Sequence, residues 1–170
     1  GIVPIGCDST LIEYNLMCDS PDILPMTEAA AGIWPWSCDN TTIQYNEVWG
    51  HKAPWDAQGF DSDYNCQNTL IQYNYSHDNY GGMVLICNSG NAGDYSCGNI
   101  GSIVRYNISI GDGIRPKETR QGMFSPSIHI AGPVKQTLVE RNIIHANPKP
   151  SDAVDRTMIT SDSLSLIHIS

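Results

Sequence analysis

Apolar and polar positions along this chain recur in blocks of about thirty residues. Thr10-Leu11-Ile12-Glu13-Tyr14-Asn15 returns as Thr41-Thr42-Ile43-Gln44-Tyr45-Asn46 and as Thr69-Leu70-Ile71-Gln72-Tyr73-Asn74. Looser copies are Ser102-Ile103-Val104-Arg105-Tyr106-Asn107 and Thr137-Leu138-Val139-Glu140-Arg141-Asn142. The closing asparagines are 31, 28, 33 and 35 residues apart. One supersecondary unit is therefore reused with loops of varying length, which is the signature of a solenoid. A second phrase precedes the first and ends near a cysteine. It reads Gly1-Ile2-Val3-Pro4-Ile5-Gly6-Cys7, then Gly32-Ile33-Trp34-Pro35-Trp36-Ser37-Cys38. Gly59-Phe60-Asp61-Ser62-Asp63-Tyr64-Asn65-Cys66 and Gly81-Gly82-Met83-Val84-Leu85-Ile86-Cys87 follow, with weaker copies at 126–132 and 153–159. Apolar runs this short, set between turn formers, predict strands and are too short for helices.

Neither strand of a unit can bury its apolar side alone. Stacking the units about 4.8 Å apart gives each strand a parallel neighbour and closes one continuous interior. Parallel pairing needs a crossover, and in a coil the rest of the turn supplies it. The Asn after each Tyr is expected to sit at a sharp corner, taking left-handed backbone and bonding to the Asn above and below. Residues 16–31, 47–58, 88–99 and 111–124 are longer than a turn requires. Long loops on a solenoid commonly wall a groove.

Stacked Ile/Val runs ending in Asn resemble the right-handed parallel β-helix of the pectate-lyase-like superfamily, over nearly all of residues 1–160. The stretch from Asp61 to Asn79 is also similar to segments of secreted bacterial β-helix proteins. The resemblance implies an all-β fold of about five coils, truncated at both ends, in an extracellular, surface or periplasmic protein. It implies a carbohydrate-active role: first a glycoside hydrolase on a polysaccharide, then a non-catalytic surface solenoid, then a polysaccharide lyase. The Gly-His-Gly turn of pectinases does not occur. Residues 164–170 read as translated sequencing-library adapter, so 161–170 is expected to be a non-native tail beyond a parallel β-helix fragment spanning 1–160.

Charge narrows the partners. The 170 residues carry 9 basic and 18 acidic side chains, a net charge of −9 and a pI near 4.7. Basic clusters are missing, which disfavours nucleic acid and anionic membranes. No apolar run approaches the roughly 18–20 residues that would cross a bilayer. Six cysteines invite a disulfide reading. However, Cys7, Cys38, Cys66 and Cys87 fall at one register of the repeat, which predicts a buried thiol ladder, leaving Cys18 and Cys97 in loops. No zinc-type spacing appears, so no metal site is expected from the cysteines.

The candidate chemistry lies where the repeat breaks. Asp61 and Asp63 stand where other coils place Ile33 and Pro35, or Gly82 and Val84. Alternation sends both to one face of the strand. Facing outward they would be paired carboxylates about 7 Å apart, the spacing of an inverting glycosidase. The alternatives are solvated strand residues or a calcium site. Asp56 could add a third carboxylate. His77 and Asp78, past the next Asn corner, could act as a base and its orienting partner. Trp49, His51, Trp55 and Asp112 are candidate substrate contacts, since aromatic faces stack on sugar rings. Trp34 and Trp36 share one strand face and are assigned to the core.

Overall fold

The computed structural model describes residues 1–20, 29–88, 98–116, 118, 125–146, 157–161 and 167–169. The chain is a parallel β-solenoid of about four turns, with no helix among the described residues. All strand pairings are parallel and run from one turn to the next. Three sheets enclose the interior. The first stacks Phe60–Ser62, Val84–Cys87, Ile128–Ala131 and Ile159–Ser161, and continues below through bridges from Phe60 to Ile33 and from Ile33 to Ile2. The second stacks Leu11–Glu13, Thr42–Gln44, Leu70–Gln72, Ile103–Arg105, Thr137–Glu140 and Ile167–Ile169. The third stacks Leu16–Cys18, Glu47–Trp49, Tyr75–His77, Ile108–Ile110 and Ile143–His145.

The repeated phrase builds the second sheet as expected. Ile12, Ile43, Ile71, Val104 and Val139 pair directly, one above the other, and all point into the core. The first sheet supplies Ile33, Phe60, Val84 and Ile128 to the same interior. Two strands per unit were predicted; a third follows each Asn. Its inward row is Met17, Val48, Ser76, Ser109 and Ile144, and the two serines interrupt the apolar alternation that would have marked it.

The corner between the second and third sheets divides its work differently from the expectation. The left-handed residue is not Asn but the one before it: Tyr14, Tyr45, Tyr73, Tyr106 and Arg141, with φ between 52° and 56°. Left-handed backbone is costly for such residues. The four rings face outward and stack at 5.3, 5.3 and 5.2 Å, which offsets part of that cost. The asparagines turn inward. Asn46 Nδ2 donates to Asn74 Oδ1 at 3.0 Å, Asn74 to Asn107 at 3.0 Å, and Asn107 to Asn142 at 3.0 Å. Each oxygen also accepts the backbone N–H of the Asn below it. The corner's buried polar groups are thereby satisfied.

The cysteine ladder has three rungs, not four. Cys7, Cys38 and Cys66 align through the bridges Asp8–Asp39 and Asp39–Gln67, and the next rung is Asn99. Cys87 belongs to the first sheet, where Leu85 and Ile86 pair with Asp61 and Ser62. Aligning the cysteines had slipped that strand by three residues, because the chain reaches Cys66 only after an added turn at Tyr64 and Asn65. Cys7, Cys18, Cys38, Cys66 and Cys87 are free thiols, while Cys97 and residues 21–28, 89–97, 119–124 and 147–156 lie outside the described residues. Ile167–Ile169, within the expected tail, pairs with the second sheet.

Replacing Asn74 by Ala would leave the Asn46 backbone N–H without its acceptor and remove the side-chain bonds to the Asn46 amide, the Ile43 carbonyl and the Asn107 oxygen. Urea unfolding should show a loss of about 3 kcal/mol or more for Asn74→Ala. A change to Ala at exposed Lys135 should cost under about 1 kcal/mol.

Candidate active site

The outer face of the first sheet carries the site. Inward residues alternate with outward ones, so the row beside Ile33, Phe60 and Val84 faces out. Register places Trp34 beside Asp61, and Asp61 beside Leu85 and then His129. One step along, Trp36 lies beside Asp63, with Cys87 beyond. Backbone bonds pin this arrangement, Asp61 N–H to the Ile33 carbonyl at 3.1 Å and Asp63 N–H to the Pro35 carbonyl at 3.3 Å. The assignment of Trp34 and Trp36 to the core is therefore corrected. Ile33 and Pro35 take the inward positions, and both tryptophans stand half-buried on the outside. They lie 6.0 Å apart, and Trp36 meets Tyr64 edge-on at 6.1 Å. Together they form an aromatic wall against the carboxylates.

Asp61 and Asp63 do share the outward face, but Asp61 is only 2% exposed while Asp63 is half-buried. One oxygen of each and the Cys87 sulfur all lie within 4.8 Å of one another. The carboxylates are thus closer than the expected 7 Å and closer than the ~6.5–9.5 Å that admits an attacking water between them. The Cys87 thiol donates to Asp63 Oδ1 at 3.2 Å, and the Tyr64 backbone N–H donates to the same oxygen at 2.6 Å. Among the described residues the Asp61 carboxylate has one long contact, 4.0 Å from the thiol.

Asp56 joins this group. It lies on Trp55–Asp56, which pairs with Ala29–Ala30 just before the Phe60 strand. Asp56 and Ala57 both take left-handed backbone, at φ 51° and 65°, an energetically costly pair of the kind that clusters at functional sites. Burial, and then the neighbouring Asp63 charge, push the Asp56 carboxyl up to about 7, against the lowering effect of Arg115. Burial and the charges of Asp63 and Asp56 hold Asp61 well above the usual range. Burial also raises Asp63, opposed by its two donors, Cys87 and Tyr64. The Cys87 thiol is pushed up by burial and by these carboxylates. The result is a crowded acidic site whose three carboxyls all hold their protons more tightly than ordinary ones.

Apart from Trp55, the remaining predicted residues lie elsewhere. His77 and Asp78 are at the outer face and corner of the third sheet, a different side of the solenoid. There His77 Nδ1 meets Asp78 at 2.7 Å and Nε2 meets Glu47 at 3.2 Å, with the ring stacked against Tyr75 and Trp49 at 4.5 and 5.8 Å. Burial lowers the His77 pKa, but bonds to Asp78 and Glu47 outweigh it and leave it raised. His51 and Asp112 are buried. The His51 ring lies between the carbonyls of Ser20 and Ala30. Asp112 accepts from Ser109 at 2.6 Å and from the Asn79 amide at 2.9 Å. Both belong to a polar ladder where the chain leaves the third sheet, in which the His51 N–H donates to Asn79 and the Asn79 N–H to Asp112, and their burial keeps them out of reach of a sugar. Trp55 is half-buried, next to Asp56 in the chain.

Among the described residues, one group of side chains could hold a metal ion: Asp61, Asp63 and Cys87. Two carboxylates with a soft sulfur do not make the cage of roughly six to eight oxygens that calcium takes. The donor set suits a zinc-type ion better.

No family model and no curated protein matches the chain. Solved structures that resemble it include a GH136 lacto-N-biosidase from Eubacterium ramulus, as native protein and as a selenomethionine derivative. Each is 23% identical with a TM-score of 0.50, and the match covers all of this chain and 26% of the other. The likeness is one of fold. This chain corresponds to about a quarter of that protein's length.

The raised carboxyls fix a pH dependence. Asp56 moves from an ordinary value of 3.8 to about 7, so the folded chain keeps a proton that the unfolded chain releases first. Stability contributed by this proton is full below about 4 and is lost as pH rises toward about 7. Asp61 acts in the same direction. Asp61→Asn should therefore raise the urea midpoint at about pH 8 and narrow the difference between about pH 5 and pH 8. An unchanged difference would show that Asp61 does not hold a proton in the fold.

Proposed function

We propose that this chain carries the carboxylate site of a glycoside hydrolase acting on a polysaccharide or oligosaccharide in an extracellular or cell-surface setting. The observation that carries the reading is the close pair Asp61 and Asp63 on the outer face beside the Trp34–Trp36 wall, with Asp56 near enough for charge to act between it and the pair. Its resemblance in fold to a lacto-N-biosidase is in keeping with a glycan substrate.

Roles follow from exposure and charge. Asp63 is half-exposed, and although burial leaves its carboxyl raised, two donors on one of its oxygens work toward the ionised form that a nucleophile needs. Asp56 is half-exposed and holds a proton near neutral pH, which suits the acid that protonates the leaving oxygen. Asp63 attacks the anomeric carbon as the glycosidic bond breaks and the departing oxygen takes the Asp56 proton. Water then enters, gives its proton to Asp56 and releases the sugar with retained configuration. Asp61, buried and protonated, keeps a second negative charge away from Asp63. Trp34, Trp36 and Trp55 supply apolar faces for sugar rings. Of the carboxylates first singled out, the working pair is thus Asp63 with Asp56.

The test uses p-nitrophenyl lacto-N-bioside and a panel of reducing oligosaccharides, with the product anomer followed by proton NMR. Asp56→Asn and Asp63→Asn should each cut turnover by about a hundredfold or more, and Trp36→Ala should raise KM. His77→Ala should leave turnover within about twofold of the parent. Full activity in both aspartate variants, or inverted product, would sink the reading.

A further inference from the structure

Arg115 is the one buried cation that approaches the acidic site among the described residues, 3% exposed and carried by the segment that follows the third sheet's Ile108–Ile110 strand. Its guanidinium reaches back across some sixty residues to the segment that bears Asp56. Nη1 donates to the Ala53 carbonyl at 3.2 Å and to the Pro54 carbonyl at 2.9 Å, and Nη2 donates to the Asp56 carbonyl at 2.6 Å. Three carbonyls of one short loop therefore converge on a single planar fork, a geometry that the point charge of a lysine does not reproduce.

That loop needs such a brace. Its two left-handed residues, Asp56 and Ala57, are held in a conformation that the chain would not choose unaided. From below, the Ala57 N–H bonds to the Ala30 carbonyl at 3.0 Å. From above, the Gly81 N–H bonds to the Ala57 carbonyl at 2.9 Å, and Gly81 lies so close that a Cβ there would stand 2.4 Å from the Asp56 carbonyl oxygen. Arg115 closes the remaining side. A buried guanidinium also loses its hydration, and among the described carboxylates Asp56 is the one whose charge acts on it favourably.

We infer that Arg115 is a positioning residue for Asp56: its fork fixes the strained loop that aims the carboxyl at the site. As a contribution to catalysis this rests on the reading of Asp56 as the acid, but its structural content is testable without turnover. The titratable and charged groups that face Asp56 are Asp61, Asp63 and Cys87 from the first sheet, Tyr64 from the turn after it and Arg115 from the loop above, with Tyr80 also acting on Arg115.

The experiment is carbon-13 NMR titration of aspartate carboxyls in the whole chain, together with amide hydrogen exchange over residues 53–57. The parent is compared with Arg115→Lys and Arg115→Met, and each fold is checked by circular dichroism. In Arg115→Met the Asp56 titration should move to higher pH and the 53–57 amides should exchange at least about tenfold faster. In Arg115→Lys the titration should stay near the parent's while exchange still accelerates, because charge is kept and the fork is lost. An unmoved Asp56 titration in Arg115→Met overturns the inference, as does undiminished protection in Arg115→Lys. The lysine variant decides alone if the methionine variant does not fold. These outcomes are independent of whether Asp56→Asn abolishes glycan cleavage, so failure here and failure of the hydrolase reading are told apart.

Discussion

Everything in this molecule depends on parallel register between successive turns. Each turn satisfies its backbone amides on the turn beside it, and a slip by one residue would exchange the inner and outer rows. The inner asparagine ladder opposes that slip, because each amide must meet both the side chain and the backbone of the next. The outer tyrosine stack does the same from the solvent side. Register held at one corner then propagates through the sheets on both sides of it. Variation is confined to connections, which is why asparagines 28 to 35 residues apart still align.

That constraint also decides where chemistry can occur. Inner rows are apolar, form closed polar ladders or carry nothing more polar than small hydroxyls such as those of Thr41 and Thr69, so reactive groups belong to outer rows. On the first sheet the outer row runs from aromatic to acidic to sulfur: Trp34 and Trp36, then Asp61 and Asp63, then Cys87. Although it faces outward, the middle of this row is buried, and burial gives the carboxyls their hold on protons. The outer row of the third sheet differs, because the charges around His77 are compensated locally by Glu47 and Asp78.

Much of the fold was legible in the sequence because the Ile/Val-Tyr-Asn phrase repeats with its apolar residue in a constant place. The third sheet was hidden by Ser76 and Ser109, small polar residues that fit inside only because Ser109 bonds to Asp112 and Ser76 lies against Asn79. At the site, the interruption by Asp61 and Asp63 was visible, and so was the nearness of Asp56. The outward turn of Trp34 and Trp36 was not. Period-two alternation says that they share a side but not which one, and large apolar rings bias the choice inward. Cys87 was misplaced by trusting cysteine identity over strand register. Arg115 could not have been found at all, since its partners are backbone carbonyls some sixty residues away, which leave no trace in side-chain pattern.

The site draws its parts from the second, third and fourth repeats, and each part is attached to a stack whose rungs interlock by the same rule above and below. Growth of the stack is therefore decoupled from its chemistry. Whole rungs could be duplicated beneath Trp34 or beyond Ile143 by gene rearrangement, lengthening the surface available to a long chain-like ligand while the acid group stays untouched. A scaffold with that property evolves reach and reactivity as separate traits.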